Sequence, residues 1–208
     1  PVFAGGTLSI VTDAQTSSPF TLEDVAGNAI DNGGFEFDLK GVFSGDGGLI
    51  FKGQGVSTLF GDNTYKGETV VEEGTLRLGS ATGIPKSSET TVSREGTLDL
   101  NGQSNVEITK LKLKGGTLAN KKGSASLATN IILEVSDSYK DEASGRDKIQ
   151  KNGRFSVKGS DSSLTISGQI SEYRKISGDA GLQKLGTGTL ILSGNNEYSG
   201  STIVAKGT

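Results

Sequence analysis

Three lysines at alternate positions, Lys110, Lys112 and Lys114, separated by Leu111 and Leu113, are the most pointed chemical feature of the sequence. Alternate side chains of a strand share a face, so this run sets three ammonium groups on one side and two leucines on the other. Lys121 and Lys122 follow in what reads as the next turn. Such a set fits an anionic partner, a sulfated glycan or a lipid head group. It fits better still a solvated strand whose lysines guard it against edge pairing. No aromatic residues interleave with the lysines, so nucleic acid is not an expected partner.

A second feature is the stretch 136–154, which carries nine charged groups and breaks the alternating pattern around it. It is too polar to enter a core and reads as a loop leaving the fold, the kind of segment where recognition tends to sit on a rigid scaffold. Tyr139, Arg146 and Arg154 are its interface-forming residue types. A surface insertion without a partner has the same composition. Residues 110–158 together hold 11 basic and 5 acidic side chains, whereas the whole chain has a net charge of −3. The basic character is therefore local.

Catalytic chemistry finds little to work with. The 208 residues include no Cys and no His, which removes thiolate nucleophiles, imidazole bases, the Ser-His-Asp triad and ordinary zinc or haem ligation. Carboxylates remain, but Asp46, Asp62, Glu68, Glu72 and Glu73 are spread as loop acids rather than paired for glycoside chemistry or gathered for calcium. Gly33-Gly34-Phe35-Glu36-Phe37-Asp38 lacks the third glycine of a calcium-binding nonapeptide and occurs once. No catalytic residue, cofactor or metal is expected. No apolar run reaches the roughly 20 residues of a membrane-spanning helix.

The elements that must hold these residues are short strands and turns. Glycine supplies 32 residues and proline 3, while β-branched side chains are abundant. Residues 45–75 align without a gap on residues 178–208 at an offset of 133, with 15 of 31 positions identical, among them Asn63 with Asn196 and Tyr65 with Tyr198. Between the copies Gly-Thr-Leu recurs at residues 74–76, 96–98 and 116–118, a spacing of 22 and then 20. A strand-and-turn unit of that length cannot bury its own apolar face, so successive units must stack. The period suits a right-handed parallel β-helix of about nine or ten coils across residues 1–208, one solenoid without internal domain boundaries. Its inward columns are expected to contain Leu76, Leu78, Leu98, Leu100, Leu111, Leu113, Ile131, Leu133, Leu164, Ile166, Leu190 and Leu192.

The run 181–204 carries a family likeness. Its Gly181-Leu182, Lys184, Gly186, Gly188-Thr189-Leu190, Leu192, Gly194, Asn196, Tyr198, Gly200 and Thr202 closely resemble the passenger-associated transport repeat of bacterial autotransporters. The copy at 45–75 is a diverged version, with Phe51 in place of the lysine and Ser57 and Phe60 where Leu and Ser are usual. The resemblance implies a β-helical passenger exported by a Gram-negative bacterium through a carboxy-terminal outer-membrane barrel of the same precursor. It implies a place on the cell surface or in the medium. Lys206-Gly207-Thr208 stops where the pattern expects Leu, so the chain reads as a fragment of a longer passenger. The function so implied is non-enzymatic: an adhesin or host-interaction factor meeting a host-cell surface or matrix component, including an anionic glycan. A fragment of a pore-forming or cell-damaging autotransporter toxin is the alternative, and a β-helix polysaccharide lyase or glycosidase a more distant one.

Overall fold

Alternation of apolar and polar residues between glycine corners produces strands of two to six residues, and two longer strands bend through a corner without ending: Thr69–Leu78 and Glu89–Asp99. The computed structural model describes residues 1–135, 152–173 and 180–208, together with the backbone pairing of Tyr139–Lys140 with Asp147–Lys148. Among the described residues every regular element is a strand. The strands stack in parallel as a β-solenoid of about 8 turns.

Two long ladders form two sides of the solenoid. The first runs through Thr7–Ser9, Ala29–Asp31, Leu49–Lys52, the start of Thr69–Leu78, the start of Glu89–Asp99, Lys110–Lys114, Ile131–Glu134 and Ile170–Glu172. The second runs through Ala14–Thr16, Glu36–Leu39, Val56–Leu59, the ends of the two long strands, Thr117–Asn120, Asn152–Val157, Gly181–Leu185 and Thr202–Val204. The third side is made of two shorter ladders, Val2–Phe3 with Phe20–Leu22 and Phe43–Gly45, and Ser124–Leu127 with Ser163–Ile166 and Thr189–Leu192.

Most coils return after 20 to 23 residues, as the bonds donated by Phe43 N–H to Asn63 Oδ1 and by Gly55 N–H to Asn32 Oδ1 show. One coil is nearly twice as long: Gln169 N–H donates to Asn130 Oδ1 across 39 residues. That coil absorbs sequence that a uniform period would have spent on another turn, which is why the count falls below the expected nine or ten. The polar stretch 136–154 lies within it and is mostly outside the described residues. Its last three residues do not leave the fold: Asn152, Gly153 and Arg154 open the strand Asn152–Val157, with Gly153 buried beneath Leu133.

In-register stacking turns the alternation into columns. Phe37, Ser57, Leu76, Leu98, Leu118, Phe155 and Lys184 succeed one another in one column, and Ile30, Phe51, Val71, Val92, Leu113 and Leu133 in another. A fully buried leucine or phenylalanine contributes roughly 1.5–3 kcal/mol, so the columns are the main source of stability in a chain with no disulfides. Of the twelve residues expected inside, ten are buried. Leu190 and Leu192 are only partly buried, because among the described residues no strand stacks on the outer edge of Thr189–Leu192.

Close stacking at the corners demands glycine. Gly74 has φ +68° and a Cβ there would meet the Gly53 carbonyl oxygen at 2.2 Å. Its counterpart Gly207 has φ +77° and would meet the Gly186 oxygen at 2.5 Å. Both positions need a residue without a side chain on two independent grounds.

Candidate partner-binding surface

The three alternate lysines stand on the outer face of Lys110–Lys114 while Leu111 and Leu113 are buried behind them, as period two requires. Stacking places the acidic Glu89 beside them in the neighbouring strand. Lys110 Nζ lies 2.9 Å from Glu89 Oε1 and Lys112 Nζ lies 2.8 Å from Glu89 Oε2, so one carboxylate holds two ammonium groups. Hydrogen bonds from Lys112 and then Lys110 hold the Glu89 carboxyl below the usual range, and Glu89 raises Lys112. Lys114 faces Glu134 in register on the other neighbour, and Lys52 pairs with Glu72 at 3.4 Å further along the same side. The lysine strand therefore belongs to a mixed-sign face that neutralises much of its own charge.

Lys121 and Lys122 are exposed in the turn after Thr117–Asn120 and so leave the second ladder, while the three alternate lysines occupy the first. The structure does not gather the five lysines into one patch. The turn is anchored from inside: Lys121 N–H donates to Asp99 Oδ1 at 3.2 Å and Asn101 N–H to the same oxygen at 3.0 Å. Asp99 is wholly buried, with Arg77 Nε 3.4 Å from its other oxygen. Arg154 follows Thr117 in the second ladder, and its Nη2 donates to the backbone oxygen of Arg94. Tyr139 pairs by its backbone with Lys148, and its side chain lies outside the described residues, as does Arg146.

The residues that do form a recurrent built arrangement are those of the repeat. In the first copy Asn63 Oδ1 accepts from Phe43 N–H at 2.7 Å, and Asn63 Nδ2 donates to the Gly83 oxygen at 2.7 Å, so one amide ties its coil to the coils before and after it. In the second copy Asn196 Oδ1 accepts from Ile170 N–H at 2.9 Å. Tyr65 and Thr69 hydroxyls lie 2.6 Å apart, and Tyr198 and Thr202 repeat the distance at 2.6 Å. Gly67 N–H donates to Gly47 oxygen as Gly200 N–H does to Ala180 oxygen, each at 3.1 Å. The fixed offset of 133 in the sequence was the signal for these pairs, although their partners are visible only in the fold.

The two copies are not stacked in phase. Leu49–Lys52 belongs to the first ladder, whereas the aligned Gly181–Leu185 belongs to the second. The second copy is turned by one side of the solenoid and keeps its bonds.

Lys184 was missed as a structural group. It stands in a core column directly after Phe155, 1% exposed, and its ammonium donates to the carbonyls of Leu185 at 2.9 Å, Gly186 at 2.8 Å and Lys206 at 3.0 Å. Burial pushes it below the ordinary lysine range. Phe51 fills the aligned position of the first copy with an apolar ring.

This geometry agrees with the comparisons. The passenger-associated transport repeat family matches residues 49–78 and 182–208, which overlap the two copies found by internal alignment. The Adhesin BmaC autotransporter of Brucella suis biovar 1 (strain 1330) is 32% identical over 160 residues, 76% of this chain and 4% of that protein. The chain is an autotransporter passenger region with passenger-associated transport repeats. The passenger region thus spans a small share of the relative it matches. Among its described residues no group of His, Cys, Asp or Glu could hold a metal ion, and no helix is long and apolar enough to cross a membrane.

Proposed function

We propose that this passenger region is a non-enzymatic, adhesin-type element, displayed on the bacterial surface or secreted, that contributes to contact with a host cell or its matrix. The observation that carries the reading is the 32% identity to an autotransporter named as an adhesin, extending over 76% of the chain. The solenoid suits the role physically, because coil-on-coil stacking gives a stiff platform while corners tolerate added length. The segment between Ile131–Glu134 and Asn152–Val157 is the candidate recognition element, with Tyr139 and Arg146 in its sequence and Arg154 at its carboxy-terminal end. Lys121 and Lys122 are the better candidates for an anionic glycan, since Lys110 and Lys112 already share Glu89. The carboxy-terminal outer-membrane barrel of the same precursor is the export partner in this reading.

The test is saturable binding of the purified chain to host-cell layers, matrix proteins and immobilised sulfated glycan. Binding to one of these is expected, with loss of glycan retention in Lys121→Glu, Lys122→Glu chains. No saturable binding to any of the three would remove adhesion from this region and leave it a stalk.

A further inference from the structure

Lys158 lies far from Lys121 and Lys122 in the sequence, and the fold brings the three together. Asn120 and Val157 are in register at the ends of Thr117–Asn120 and Asn152–Val157. Lys158 N–H donates to the Asn120 oxygen at 2.9 Å, which sets Lys158 beside Lys121 on the next coil, at the corner between the second ladder and the third side. All three lysines are exposed. Among the described residues none of them enters an ion pair, whereas Lys52, Lys66, Lys86, Lys110 and Lys112 each hold an acid. The one carboxylate in residues 121–124 and 158–162 is Asp161, which accepts from Ser160 Oγ at 3.3 Å.

The corner is fixed from beneath. Asn120 Nδ2 donates to the Gly123 oxygen at 2.6 Å and to the Ser163 oxygen at 2.8 Å, and its Oδ1 accepts from Gly102 N–H at 2.8 Å, so one buried amide ties three successive coils at this point. Asp99 holds the Lys121 N–H from the coil before. Ser163 Oγ donates to Ser124 Oγ at 3.0 Å where the two lysine turns enter the third side.

We infer that Lys121, Lys122 and Lys158 form one anion-binding ridge that takes a linear sulfated glycan along the rod axis, across coils. The inference rests on the adhesin reading for its host setting, and adds the third cation and the direction of the ligand. Lys121 and Lys158 stand on neighbouring rungs, about 4.8 Å apart along the axis, so a polyanion that meets both must cross the strands. No described acid engages these ammonium groups, so a polyanion binds them without first breaking an internal ion pair, as it would have to do at Lys110 and Lys112. The serines and glycines around the lysines suit a sugar chain. A bilayer fits less well, because none of the exposed large apolar side chains falls in residues 121–124 or 158–162 to enter it.

The test titrates the purified chain with a heparin octasaccharide by calorimetry, beside chains carrying Lys121→Gln, Lys158→Gln, both together, and Lys86→Gln as a control of equal charge change. Lys121→Gln and Lys158→Gln are each expected to weaken binding about fivefold, the pair to lose more and to show a shallower salt dependence, and Lys86→Gln to leave it unchanged. Desulfated heparin should not bind. Indifference to Lys158→Gln, an equal loss in Lys86→Gln, or binding of the desulfated chain would each overturn the ridge. So would retention on phosphatidylserine vesicles with no response to the octasaccharide, which would make the lysines a lipid contact. Host-cell binding without heparin binding overturns the ridge and leaves adhesion standing, whereas heparin binding through these lysines without host-cell binding upholds the ridge and removes adhesion.

Discussion

The Tyr65 phenol lies 2.6 Å from Thr69 Oγ1, and Thr69 passes the contact on to Ser88 Oγ at 3.1 Å, so three buried hydroxyls join two coils across the core. Burial pushes the Tyr65 phenol far above its usual range, which keeps it a neutral donor or acceptor at any ordinary pH. Tyr65→Phe is expected to destabilise the chain by about 1 kcal/mol, the net worth of one such bond. Tyr198→Phe, whose hydroxyl is reachable by water, should cost less. Paired urea denaturation curves decide this, and equal costs would count against the buried chain of hydroxyls.

Gly74 tests the corner. Gly74→Ala forces a side chain into left-handed backbone and against the Gly53 oxygen 2.2 Å away, so a loss of about 2 kcal/mol or more is expected. Gly123→Ala, which also has positive φ but meets nothing within 4 Å, should cost about 1 kcal/mol. Thermal or urea unfolding of the two variants separates conformational strain from steric contact; the same loss at both positions would show that close stacking adds nothing.

Glu89 controls how basic the lysine strand is. Its carboxyl is held below the usual range in the fold, so the folded chain releases that proton more readily than the unfolded chain. The resulting stability is present above the unfolded carboxylate value of about 4.3 and is lost as pH falls through the folded value. Glu89→Gln should flatten that part of an acid denaturation profile. The same variant frees Lys110 and Lys112, so retention on immobilised heparin should increase and become more sensitive to salt. Unchanged retention would make the lysine strand ordinary solvated surface.

Lys184 gives a pH effect of opposite placement. Its ammonium is pushed below the ordinary lysine range by burial, so near the alkaline end the unfolded chain binds the proton more tightly than the folded one. Stability from this group therefore rises with pH between the lowered folded value and about 10.4, the unfolded lysine value. Lys184→Met should remove that rise. It should also loosen the last coil at neutral pH, because the Lys206 carbonyl loses its 3.0 Å donor. Hydrogen exchange at Thr202–Val204 measures the second effect, and protection equal to that of the parent chain would show that the ammonium does not tie the coils together.

The core was the most legible part of the molecule. Period-two leucines after each Gly-Thr identify inward positions because the pleat leaves no other choice, and Leu76, Leu98 and Leu118 fall in one column as their spacing demands. What lay beyond the sequence is relational. Nothing in a linear alignment says that Glu89 would stand between Lys110 and Lys112, since that follows from strand register. Lys184 shows the converse difficulty: a charged residue at an inward position is readable only once the carbonyls that receive it are in place. The candidate surface residues were least legible, because surface side chains carry no periodic constraint.

The repeat copies that occupy different sides show that a strand with its corner is the unit of this architecture, and that the full turn is not. The strands between Leu49–Lys52 and Gly181–Leu185 do not complete whole turns of three, yet the ladders stay parallel and in register. The repeat is therefore not tied to one side of the rod: the same asparagine and tyrosine bonds form on either of two sides. A surface built this way can re-aim its exposed corners toward a partner without any change in the chemistry that holds it up.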